Sequence, residues 1–206
     1  MIICLDVDNT LVPFQPTGTL YRSLFLKKAS FKYLLLGYSM MYTLKLFWFS
    51  TSIVNFQRKL IMTLFSQVPK EDLEFEANQI DEKIATHPKN ILQDVKERYS
   101  PSKIYLVTHC PTIIAEKICY RFNLAGEFSI PIFNYFAEKK PISNFNKATI
   151  IEKLKSEFPE EEILYIADDL IDLEGLKSAH KGILKNGSSF TKFIIRAFNP
   201  QIEIWD

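Results

Sequence analysis

Near the start of the chain, Asp6-Val7-Asp8-Asn9-Thr10 places two carboxylates two positions apart. At the end of a strand, side chains at that spacing point to the same side. Two ionised carboxylates held so close repel, and a cation between them relieves the repulsion. Oxygen-only ligation suits magnesium, which takes few protein groups and keeps substrate phosphate in its shell. The plainer alternative is two acids that merely open a loop. A second acidic group, Asp168, Asp169 and Asp172, follows another apolar run. With a helix beginning near Asp169, Asp172 falls in its first turn, close to the strand end. Acids stabilising a helix N-terminus through its dipole are the alternative, which accounts for Asp169 alone. Thr108 precedes His109, Cys110 and Pro111. A hydroxyl followed by a helix N-terminus offers an anion its Oγ and free backbone N–H groups, and the same pattern describes a helix N-cap. Lys147 opens a further predicted helix, where a cation opposes the dipole and a bound anion would explain it. A solvated surface lysine is the alternative, and Lys139 and Lys140 are rivals for the role.

Three apolar runs lead into these residues: 1–5 before Asp6, 104–107 before Thr108 and 163–167 before Asp168. Continuous runs rich in Ile and Val read as strands buried on both faces of a parallel sheet. A weaker run covers 182–184. Helical spacing of apolar residues spans 111–122, 147–158 and 170–179. Strand and helix alternating in this order predict βαβ units with right-handed crossovers. The fold class expected is α/β, a Rossmann-like parallel sheet with helices on both faces. Ligands in such sheets bind beyond the carboxyl ends of the strands. Asp6, Thr108 and Asp168 are therefore expected in one crevice.

The chain has 206 residues, of which 47% are hydrophobic and 24% charged, enough to bury a core as a soluble globular protein. A net charge of +1 gives no basic field to attract nucleic acid. Cys4, Cys110 and Cys119 have no metal-type spacing, and an odd, sparse count fits a reducing compartment. With Asp6 reached after five residues there is no room for a signal peptide, so a cytoplasmic protein is expected.

The four groups resemble, in order, the four motifs of the haloacid dehalogenase superfamily of phosphohydrolases: 6–11, then Thr108, then Lys147, then 168–172. The resemblance implies a magnesium-dependent phosphatase. Asp6 would attack phosphorus and form an aspartyl-phosphate, and Asp8 would protonate the leaving alcohol and then deprotonate water. Thr108 and Lys147, with His109 beside Thr108, would bind the substrate phosphate. Asp6, the Asp8 backbone carbonyl and Asp168 would hold magnesium, with Asp172 completing or orienting that shell. Ala167 and Asp169 depart from the commoner motif, which has glycine and a small polar residue there. Asp8 argues against a true dehalogenase, since those members lack this second acid and need no metal.

Residues 13–87 interrupt the alternation and read as an inserted all-helical cap, with 1–12 and 88–206 forming the core domain. One helix of it is expected to start at Pro69, with Glu71 and Asp72 in its first turn. An insertion between the first and second motifs resembles the phosphoserine-phosphatase-like branch. Residues 33–57 carry a single formal charge, Lys45, among many apolar side chains. They read as helices packing on each other and on the sheet domain, as an interfacial patch giving peripheral membrane contact, or as a spanning helix. The substrate expected is accordingly a small phosphorylated metabolite or a lipid phosphate. The alternatives are a phosphotransferase of the same fold and a non-catalytic binding or membrane-surface module. The last residues, 188–206, predict an amphipathic helix through Phe190, Phe193, Ile194 and Phe198 that packs on the domain and stops at Asn199-Pro200.

Overall fold

A computed structural model describes residues 1–28, 65, 68–87, 90–130 and 145–205. The apolar runs become the centre of one sheet. Strand β1 (Ile2–Leu5) pairs in parallel with β2 (Lys103–Pro111) on one side and β4 (Ile163–Ala167) on the other. The sheet extends outward through β3 (Gly126–Ile130) beyond β2, and through β5 (Lys181–Lys185) and β6 (Glu203–Trp205) beyond β4. The order is β3-β2-β1-β4-β5-β6, all parallel. The chain winds outward to β3, then returns to start the other half at β4. The crevice of such a sheet lies at that reversal, at the carboxyl ends of β1 and β4.

Alternation along β1 explains the two layers. Ile3 and Leu5 belong to one apolar cluster, Ile2 and Cys4 to the other, and all four are fully buried. A strand buried on both faces has no polar alternation to show, which is why these runs are continuous. Helices α1 (Pro16–Lys28), α2 (Lys70–Ala85), α3 (Asn90–Tyr99) and α4 (Thr112–Phe122) supply the first layer. Helices α5 (Lys147–Glu157), α6 (Leu173–Ser178) and α7 (Ser189–Phe198) supply the second. A short 3-10 turn, Leu170–Asp172, leads into α6.

Helices α1 and α2 are the described parts of the predicted insertion. Pro69 is the N-cap of α2, with Glu71 and Asp72 in the first turn. The two helices pack on each other, and α2 also packs on α4. Their Leu20, Leu24, Leu73 and Ile84 join the same cluster as Ile3, Leu5 and Leu106, so these helices share a core with the sheet. The three readings of residues 33–57, and the rival lysines Lys139 and Lys140, lie outside the described residues. Among the described residues no helix is long and apolar enough to cross a membrane.

Two expectations are corrected. The helix after β2 starts at Thr112, not Pro111, because the strand continues to Pro111, which is the N-cap. Helix α7 forms where expected, but its phase differs: Thr191 and Ile195 are buried, while Phe190, Phe193 and Phe198 are exposed. The cap fixes that phase, with Ser188 Oγ accepting the Thr191 N–H at 3.1 Å.

Candidate active site

Strand register brings the site together. Leu5 pairs with Leu106 on β2 and Ile166 on β4. One residue further the chain reaches Asp6 on β1, and two residues beyond the paired positions lie Thr108 and Asp168. The Asp6 N–H donates to Ile166 C=O at 2.9 Å and carries the ladder one step past β1. The end of β2 is irregular: Val107 pairs with Phe128 and Pro111 with Ile130, so residues 108–110 bulge. A bulge re-aims side chains at a strand end. Here the Cys110 N–H donates to Thr108 Oγ1 at 3.1 Å, which leaves the Thr108 hydroxyl proton free to donate elsewhere. Thr108 is therefore not the cap of α4, as one sequence reading had it, since the bulge separates it from the helix. His109 sits in the same bulge, and its ring meets Phe145 edge-on at 5.2 Å between centroids.

Four predicted groups are closed off from solvent: Asp6, Thr108, Lys147 and Asp172 are each at most 5% exposed. Lys147 opens α5, capped by Asn146, whose Oδ1 accepts the Ala148 N–H at 2.9 Å. Its Nζ lies 2.9 Å from Asp6 Oδ1 and 2.5 Å from Asp172 Oδ1. Both contacts are buried ion pairs. Burial pulls the Lys147 ammonium down, but Asp172 and Asp6 outweigh it and hold the group above the ordinary lysine value. The surface-lysine reading of Lys147 is thereby overturned. Gly175 of α6 makes the close approach fit, because a Cβ there would lie 2.9 Å from the Tyr165 ring and 3.3 Å from Lys147 Cβ. Gly175→Val should displace both groups and cost roughly 1–3 kcal/mol, read as a lowered midpoint in denaturant.

Asp6, Asp168 and Asp172 each offer one oxygen, and the three oxygens lie within 4.8 Å of one another. Three carboxylates in so small a volume form a donor set of the hard-oxygen type that suits magnesium. The Asp8 carboxylate is not a member of that trio. Its Oδ1 is shut off from solvent and has no hydrogen-bond partner, although the residue as a whole is half-buried. Burial and then Asp6 push Asp8 up to about 7, against the pull of Lys147 and of the Thr17 N–H in the first turn of α1. Asp168 is pushed up to about 8 by burial, then by Asp6 and Asp172.

These shifts have a sign. A carboxyl raised in the folded state holds its proton more tightly there, so ionising it weakens the fold. In the metal-free protein the contribution of Asp8 and Asp168 is favourable near pH 4 and is lost as pH rises toward about 8. Magnesium held by the ionised carboxylates of the folded state would reverse the effect. The rise in melting temperature on adding magnesium should be larger at pH 8 than at pH 5, and smaller in Asp168→Asn. Melts of chelator-treated protein at the two pH values check this.

Sequence reasoning missed Asn9 and Asn186. Asn9 has φ 53°, in the left-handed region that asparagine tolerates better than most residues. Its Nδ2 donates to Asp168 Oδ2 at 3.1 Å, and its C=O accepts from Asn186 Nδ2 at 3.0 Å. The pair ties the loop after β1 to Asp168 and to the end of β5. The available signal was the asparagine within the acidic motif, to which sequence reasoning gave no role. A pocket of about 550 Å³ opens beside these residues, lined by Asn9, Asp168, Asp169, Asn186 and Phe190 among others. All three cysteines are free. Burial, then Asp8, drives the Cys110 thiol well above its ordinary value, so it is no rival nucleophile.

Comparison with solved structures shows which fold positions these residues. A HAD-family hydrolase from Salmonella enterica serovar Typhi superposes with a TM-score of 0.68 over 99% of this chain, at 14% identity. A phosphoserine phosphatase, solved as an analogue of its phospho-aspartyl intermediate, gives 0.63 over 98% at 15% identity. The chain has the haloacid dehalogenase fold. A phosphoserine phosphohydrolase-like protein from Francisella tularensis gives 0.65 over 98% at 14% identity. The chain spans 66% of the Salmonella hydrolase, 91% of the phosphoserine phosphatase and 94% of the Francisella protein. No protein-family model and no curated protein matches the sequence. In the haloacid dehalogenase fold as this chain builds it, both halves of the sheet contribute acids to one crevice, Asp6 from β1 and Asp168 from β4.

Proposed function

We propose that this protein is a magnesium-dependent phosphomonoester hydrolase that works through an aspartyl-phosphate on Asp6. The observation that carries the proposal is the buried group of Asp6, Lys147 and Asp172 beside Asp168 at the carboxyl end of β1. Lys147 holds one Asp6 oxygen at 2.9 Å and fixes the carboxylate for attack. In the proposed reaction an Asp6 oxygen forms a bond to phosphorus as the bond to the leaving oxygen breaks. Asp8, raised to about 7, can carry a proton to that oxygen near neutral pH and then take one from the water that hydrolyses the acyl phosphate. The Thr108 hydroxyl donates to a non-bridging oxygen, and Lys147 offsets the charge gathered on the phosphoryl group. Asp6 and Asp168, with the Asp8 carbonyl, would hold magnesium, and Asp172 would orient that shell; the ion supplies charge neutralisation to the phosphate when bound. Residues 13–87 act as the cap that excludes water and selects the substrate, a small phosphorylated metabolite or a lipid phosphate. The phosphoserine phosphatases among the structural neighbours support a phosphomonoester substrate.

The test is phosphate release from an aryl phosphate, phosphoserine and phosphatidylglycerol phosphate, before and after magnesium is stripped and returned. Turnover that disappears with the metal and returns with it is expected. Preference within the panel separates soluble from lipid substrates. Failure of every member, by a folded protein that binds magnesium, would sink the hydrolase reading.

A further inference from the structure

Helix α7 carries more exposed aromatic surface than its own folding requires. Its ten residues are capped by Ser188 and anchored by buried Thr191 and Ile195. On the outside, Phe190, Phe193 and Phe198 are 59%, 65% and 73% exposed. Phe190, Phe193 and Ala197 follow one another at helical spacing and form a single row, flanked by Phe198 beside half-buried Ile194. Exposed apolar residues scattered singly need no explanation, but Phe190 and Phe193 are neighbours one turn apart and half-buried Ile194 lies between them and Phe198, and such apolar groupings mark contact sites.

The charge along this stretch of chain is one-sided, although Asp168 and Asp169 line the pocket that Phe190 borders. From residue 175 to residue 202 the chain has no Asp or Glu, yet it has Lys177, Lys181, Lys185, Lys192 and Arg196. Lys177 and Lys181 pair with Glu174 and Glu203. Lys192 and Arg196 lie four apart on the flank of α7 next to Phe193, and Arg196 is exposed. A helix with phenylalanines on one face and bases along its edge suits the boundary of an anionic bilayer, with rings among the acyl chains and bases at the headgroups. We propose that α7 docks this protein on anionic lipid surfaces, lying in the plane of the interface with Phe193 and Phe198 inserted. The docked face ends at Phe190, which also lines the pocket beside Asn9 and Asp168, so docking would place that pocket at the lipid surface.

The full chain should be sedimented with vesicles of phosphatidylcholine alone and of phosphatidylcholine mixed with phosphatidylglycerol, with no substrate present. The expected result is binding to the mixed vesicles that falls with added salt, and much weaker binding to the neutral ones. Combining Phe193→Ser with Phe198→Ser should weaken binding at least about tenfold, given the apolar area removed. Arg196→Glu should weaken it by about fivefold or more. The altered side chains are exposed, so melting temperatures should stay at the wild-type value; if the double variant does not fold, Arg196→Glu decides alone. No binding to the mixed vesicles would overturn the proposal, as would wild-type binding by the folded variants. Phe193-dependent self-association without vesicle binding would also overturn it, assigning the face to a second copy of the chain. The readout is independent of hydrolysis and stands whatever the chemistry at Asp6.

Discussion

Asp6→Asn should reduce magnesium-dependent phosphate release by at least about 10⁴-fold, with the protein still folded. Asp6 is 5% exposed and its side chain keeps its shape in the substitution, so packing at the end of β1 is retained. In the proposed mechanism the variant loses the anionic oxygen that bonds to phosphorus, and no neighbour replaces it. Asp168 belongs to the strand beside it and is tied to Asn9, while the Asp8 carboxylate is outside the trio. The comparison with Asp8→Asn separates nucleophile from proton carrier. An aryl phosphate has a good leaving group that needs little protonation, whereas an alkyl phosphate needs it strongly. Asp8→Asn should therefore spare aryl phosphate turnover relative to phosphoserine, and Asp6→Asn should abolish both. Initial rates of phosphate release on the two substrates check this. Retention of more than about a hundredth of wild-type turnover by Asp6→Asn would remove it from the nucleophile's role.

What the sequence reveals here follows strand position in the sheet. β1, β2 and β4 are central, covered on both faces, and legible as unbroken apolar runs. β5 is one step outward and weaker in the sequence. β3 and β6 are the edges, and neither was anticipated. Four of the five residues of β3 are half-buried, and β6 is three residues long. Edge strands pair on one side only and carry polar or short segments, so their composition lacks the central signature. The same logic governs the site. Asp6, Thr108 and Asp168 were legible because each follows a central strand. The burial of Lys147 was not, since it depends on how closely α5 and α6 approach, a distance set by Gly175 against Tyr165. The phase of α7 was misread because its phenylalanines outnumber Ile195, yet Ile195 and the Ser188 cap fix the inward face.

Lys147 links stability to chemistry, and its replacement should affect both. In Lys147→Met, of similar length and apolar, Asp6 and Asp172 lose the only cation within salt-bridge distance of them among the described residues. Removing one partner of a buried ion pair leaves an uncompensated charge, at a cost of about 3–5 kcal/mol. The metal-free variant should therefore unfold at much lower denaturant than wild type near pH 8. Lowering the pH lets the carboxyls take up protons, so the gap should narrow. Magnesium should narrow it too, by supplying a cation to the same oxygens. The double variant Lys147→Met with Asp172→Asn removes one of the two stranded charges, and it should recover part of the loss despite carrying more changes. Such non-additivity is the signature of coupled neighbours. Turnover should not recover with it, because the charge proposed to offset the phosphoryl group is still missing. Denaturant melts of the four proteins of this cycle, with and without magnesium, give the coupling. An additive cycle would mean that Lys147 and Asp172 do not interact energetically across their 2.5 Å contact, and that Lys147 is held in place by the packing of α5 instead.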